Sequence, residues 1–132
     1  MERIKEKLEF AKGRIAMLET ELKKGIKSEV EKLGVFKLFQ EVVEAYSDAI
    51  AIFIKSKNLE VKDRYSNIEL LENLGTINKE EAKLLIKANG LRNWIVHRYN
   101  KLSDRQAIAS IKVLLPKIKK FVEKFEHVEE NQ

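Results

Sequence analysis

A chain of 132 residues, 44% of them hydrophobic, holds enough apolar surface for one core and too few residues for two comfortable domains, so residues 1–132 are expected to form a single domain. The absence of cysteine excludes disulfides and thiolate metal sites, and a reducing cytoplasm is the expected setting. A charged fraction of 36% and a net charge of +5 admit an anionic partner such as nucleic acid or nucleotide without requiring one.

The opening stretch, MERIKEKLEFAKGRIAMLETELKK, is charged and amphipathic and lacks the apolar core of a signal peptide. No later stretch is long enough to span a bilayer, so no membrane association is expected. Five glycines, one proline and apolar residues recurring every three or four positions predict an all-α fold, an antiparallel bundle of about five helices. The first helix is expected over roughly residues 2–24, with Ile4, Leu8, Ala11, Ile15, Leu18 and Leu22 on one face and Gly25 as its stop. Residues 26–34 are assigned to a connector. The second, roughly 35–56, is apolar around most of its circumference and is expected to be the central helix. A polar loop, KSKNLEVKDRY, follows. Ser66 with Glu69 then has the spacing of a capping box, predicting a short third helix that stops at Gly75. Asn78 with Glu81 and Ser103 with Gln106 give the same start signal for a fourth helix, roughly 79–98, and a fifth running toward residue 127. Pro116 is expected to kink or split the last one.

The fourth helix carries two sets of apolar residues. At about 100° per residue, Leu84, Ala88, Leu91 and Ile95 share one side, a sufficient stripe for docking onto a bundle. Ala82, Leu85, Ile86 and Val96 lie opposite, interleaved with Asn89, Arg92, Asn93 and His97, and Tyr99 closes the edge of that arc. Such a helix is either deeply buried within one chain or shared with a second copy across a two-fold axis. A homodimer would bring two copies of Arg92 and His97 to one cleft; in a monomer a helical His is more often structural than catalytic.

Arg92 followed directly by Asn93, then His97 and Tyr99, within GLRNWIVHRY, resembles the signature of the HEPN superfamily and most closely its HepT-like toxin branch. The upstream LFQEVVEAYSDAIAIFIK helix, the RYSNIELLENLG segment and a long final helix follow the order of that branch over nearly the whole chain. The resemblance implies a homodimeric, metal-independent ribonuclease with Arg92 and His97 in a shared cleft. It further implies a genetic partner, a nucleotidyltransferase antitoxin of the MNT type that uses ATP to transfer AMP to the motif tyrosine, here Tyr99. Members that keep the fold only as nucleotide- or partner-binding modules are the alternative, and a structural helical dimer is a third reading.

The residue types suit the implied reaction. Cleavage of RNA without a metal needs a base for the ribose 2′-hydroxyl, an acid for the leaving 5′-oxygen and positive charge on the phosphoryl oxygens. Two copies of His97 supply the first two and Arg92 the third. Asn93, one turn before His97, is assigned a supporting role, and Tyr99 is placed to stack on a base or contact phosphate. Glu41, Glu44 and Asp48 form a carboxylate stripe on the second helix; a solvated face is the simpler reading, and Asp48 beside Arg92 is the functional one. No Glu-x-x-His motif accompanies these acids, so neither a metal nor a cofactor is expected.

Overall fold

The computed structural model describes residues 2–97 and 103–128, and all of its regular elements are helices: α1 (Glu2–Lys24), α2 (Glu29–Ser56), α3 (Arg64–Asn73), α4 (Lys79–His97) and α5 (Asp104–Phe125). The all-α expectation and the count of five therefore hold for these residues.

Local sequence accounts for most of the boundaries. α1 ends where Gly25 takes a positive φ of 87°, a conformation that costs glycine nothing. α2 begins six residues before the expected start. Ser28 is its N-cap and accepts a hydrogen bond from the Glu31 amide, while the Glu31 carboxylate accepts one from the Lys27 amide. Periodicity misses this turn because Val30 and Leu33 are exposed there, so no apolar stripe announces it. α3 also starts early, at Asp63 rather than Ser66: the Asp63 carboxylate accepts from the Ser66 amide at 2.9 Å and from its hydroxyl at 3.1 Å. Gly75, at φ 76°, follows the end of α3.

The two remaining start signals operate as expected. Asn78 and Glu81 exchange side-chain to backbone bonds at 2.8 and 2.9 Å, and Ser103 and Gln106 form a complete capping box. Pro116 does not split α5, which runs unbroken to Phe125. Pro116 and Lys112, four residues earlier, are exposed, so water can reach the carbonyl that the missing N–H leaves unbonded.

α1 and α2 share the largest interface; α4 packs on α2, α3 and α5, and α5 returns across α1. One continuous apolar core joins all five helices. Edge-to-face ring pairs tie α2 to its neighbours: Tyr46 to Phe121 and Phe53 to Phe125, both at 5.7 Å, and Phe36 to Trp94 at 6.0 Å. α2 is thus the central helix, with eleven buried residues. No described helix is long and apolar enough to cross a membrane.

Candidate active site

α4 runs antiparallel to α2, and this register decides which polar residues meet. Trp94 lies against Phe36, Arg92 against Glu44, and Asn89 and Leu85 line a crevice with Tyr46 and Ile50. The second set of apolar residues on α4 is therefore covered in part within the chain: Ala82 and Leu85 are buried, as is Asn89 beside them, while Ile86 and Val96 are exposed. Burial within one chain accounts for Ala82 and Leu85 and leaves Ile86 and Val96 uncovered.

The Arg92 guanidinium is the best-defined group of the motif. Its Nη2 and Nε donate to the same oxygen, Glu44 Oε2, at 2.6 and 3.2 Å, and its Nη1 donates to Asn93 Oδ1 at 3.1 Å. Gln40, one turn back on α2, donates a further bond to Glu44 Oε2 at 3.1 Å. Burial by itself raises the carboxyl pKa of Glu44, but hydrogen bonds from Arg92 and Gln40 and the charges of Arg92 and Arg64 outweigh it and hold the group below 4.5. Glu44 is thus a carboxylate at neutral pH, a fixed acceptor and not a proton carrier. The Arg92 side chain retains 16% exposure, which leaves part of the fork accessible to an incoming oxyanion.

Asp48 does not occupy the position expected of it. It lies one turn beyond Glu44, mostly exposed, and pairs with Lys7 of α1 at 3.2 Å, while Glu41 pairs with Arg14 at 2.9 Å. The carboxylate stripe is consequently neither a bare solvated face nor a single site. Its three members face three different cations, and the one on Arg92 is Glu44. Sequence reasoning could place Glu44 and Asp48 on one face but could not choose between them, because the choice depends on how far α4 slides along α2.

His97 ends α4 and is exposed. Five positions on an α-helix turn the chain by about 140° from Arg92 to His97, so one copy of the helix directs the two side chains apart. Trp94 is buried against Phe36 and so serves packing. Tyr99 lies outside the described residues. Among the described residues, no group of three or more His, Cys, Asp or Glu is arranged to hold a metal ion.

Sequence reasoning also passed over the junction of α2, α3 and α4. Asn67 and Asn89 are the buried polar residues of the described chain, and both line it. Asn67 is fully engaged, accepting from the Lys62 amide at 2.8 Å and donating to its carbonyl at 3.1 Å, which folds the preceding loop onto α3. The usable signal was a polar residue at a core position of each helix, Asn67 beside Ile68 and Asn89 beside Ala88.

Comparison with known proteins supplies a family for this arrangement. Residues 4–125 match the family described as Ribonuclease HepT-like. A protein of Archaeoglobus fulgidus named "Putative RNase" is 36% identical over 127 residues, covering 96% of this chain and 93% of its own length. A protein of Methanocaldococcus jannaschii, also bearing the name "Putative RNase", is 42% identical over 66 residues, 50% of this chain and 76% of its own.

Proposed function

Since the chain belongs to the HepT-like ribonuclease family, we propose that it is a metal-independent endoribonuclease whose cleft forms between two copies of the chain. The observation that carries this reading is the Arg92–Glu44–Asn93 arrangement within the family match: a guanidinium held rigidly by one carboxylate oxygen and one amide, with part of its fork still open. A guanidinium fixed before the substrate arrives loses little freedom on gripping phosphate.

In this mechanism Arg92 binds the non-bridging oxygens of the scissile phosphate. One His97 removes the proton from the ribose 2′-hydroxyl, whose oxygen attacks phosphorus. The protonated His97 of the second copy gives its proton to the departing 5′-oxygen. The products are a 2′,3′-cyclic phosphate and a 5′-hydroxyl. The divergence of Arg92 and His97 on one helix is the geometric reason for a second copy, and the exposed Ile86 and Val96 offer it apolar contact.

The proposed neutralising partner is an MNT-type nucleotidyltransferase that transfers AMP from ATP to Tyr99. The added phosphate would place bulk and negative charge at an anion-binding cleft, which blocks RNA.

Purified protein incubated with mixed RNA in EDTA tests the reading. Wild type is expected to cleave and to leave cyclic phosphate ends, and His97→Ala is expected to leave the RNA intact. No cleavage by folded, unmodified wild type would favour a non-catalytic module that binds a nucleotide or the nucleotidyltransferase.

A further inference from the structure

One turn along from the Arg92–Glu44 pair, the α2–α3–α4 junction holds polar groups that the fold leaves unused. Tyr46 and Asn89 are 1% and 3% exposed, yet the Tyr46 hydroxyl and Asn89 Oδ1 have no hydrogen-bond partner. Leaving such a group unsatisfied is costly, and native structures seldom do so without water or a ligand nearby. Both residues line a crevice with Ser47 and Arg64. Arg64, the first residue of α3, is half-buried, and no acceptor among the described residues lies on its guanidinium. Asn89 Oδ1 only accepts, so a water serves it, whereas the Tyr46 hydroxyl and the half-buried Arg64 guanidinium are donors, and in a family of ribonucleases the guanidinium calls for an anion.

The dimensions decide what kind. The enclosed space is about 10 Å³, room for one water and far too little for a base. A ligand must therefore lie across the mouth, where Arg64 is. Ser47 is one turn beyond Glu44 on α2, and Asn89 is one turn before Arg92 on α4, so Arg64 stands beside the Arg92 site at the next turn. The charge of Arg64 is already felt by Glu44. Glu44 is bonded to Arg92, so the charge of Arg64 has no ion-pair partner among the described residues and can meet a phosphodiester of its own.

We propose that Arg64 is a second RNA-binding residue, contacting a phosphodiester that neighbours the one held by Arg92 on the same strand. This assignment rests on the ribonuclease reading and extends its substrate contacts onto α3. It also gives α3 a role beyond packing, since its Asp63 cap fixes where Arg64 projects.

The test is binding of a single-stranded RNA to the His97→Ala chain, which prevents turnover, as a function of salt. Adding Arg64→Ala is expected to weaken binding by roughly 3- to 10-fold near physiological salt. It should also reduce the slope of log affinity against log salt by about 0.7, the loss of one phosphate contact on a single strand. Arg64→Lys keeps the charge and is expected to restore the slope; Arg64→Gln, which preserves the aliphatic packing, is expected to match Arg64→Ala. A purely structural role for Arg64 would shift the melting temperature and leave the slope alone. Unchanged slopes in both neutral variants overturn the assignment while sparing the ribonuclease reading. A folded His97→Ala chain that binds no RNA at low salt overturns both.

Discussion

The α1–α2 interface and the α2–α4 interface use the same central helix in opposite ways. Toward α1, the charged groups of α2 stay at the solvent edge, in ion pairs such as Arg14–Glu41 and Lys7–Asp48, while the apolar set led by Phe39, Val42 and Val43 is fully buried in the core. Toward α4 it presents Glu44 to a largely buried Arg92 and leaves Tyr46 and Asn89 with unpaired polar atoms in the interior. Apolar packing would have been the cheaper solution on both sides, since a buried ion pair recovers its desolvation cost only with good geometry. Polarity concentrated at one of two available interfaces therefore marks where the molecule gives up packing for a site.

Substitutions on the two sides should separate accordingly. The largest loss of stability is expected for Phe39→Ala, about 3–5 kcal/mol by denaturant unfolding, because the ring is fully buried and its removal leaves a cavity. A cost under about 1 kcal/mol would show that the apolar core around α2 is not what holds the fold. His97→Ala lies at the other pole: RNA cleavage is expected to fall by about 10²-fold or more, the usual scale of acid–base catalysis. Its melting temperature should stay near that of wild type, since the side chain is exposed.

Glu44→Gln sharpens the comparison through pH. The folded state holds the Glu44 carboxyl below its ordinary 4.5, so its contribution is complete above that value and is lost as pH falls through the lowered folded pKa. Wild type should therefore lose more stability than Glu44→Gln between about pH 6 and pH 3. Parallel melting curves for the two proteins across that range would mean that Arg92 does not hold Glu44 in solution. The smallest effect is expected for Asp48→Asn. Its exposed pair with Lys7 is worth at most about 1 kcal/mol, and RNA cleavage should be unchanged. A large loss of cleavage there would return Asp48 to the site.

Much of this was legible in the sequence where the determining interaction is local. The Asn78–Glu81 and Ser103–Gln106 caps lie three residues apart, and the positive φ of Gly25 and Gly75 needs only the glycine itself. The adjacency of Arg92 and Asn93 on α4, which the structure joins by a hydrogen bond, was equally plain. What stayed hidden depends on contacts between helices. Glu44 rather than Asp48 faces Arg92 because of the α2–α4 register, and Arg64 is the first residue of α3, at the mouth of the crevice, because Asp63 starts that helix one turn before Ser66. The double apolar face of α4 was visible, but its meaning was not. Periodicity records that Ala82 and Leu85 are buried without recording whether the same chain or another covers them.

The shared cleft is the central claim, and co-refolding wild type with His97→Ala at set ratios tests it most directly. If each cleft needs His97 from both copies, RNA cleavage at constant total protein will fall as the square of the wild-type fraction. A linear fall would mean that each copy cleaves alone and would contradict the account.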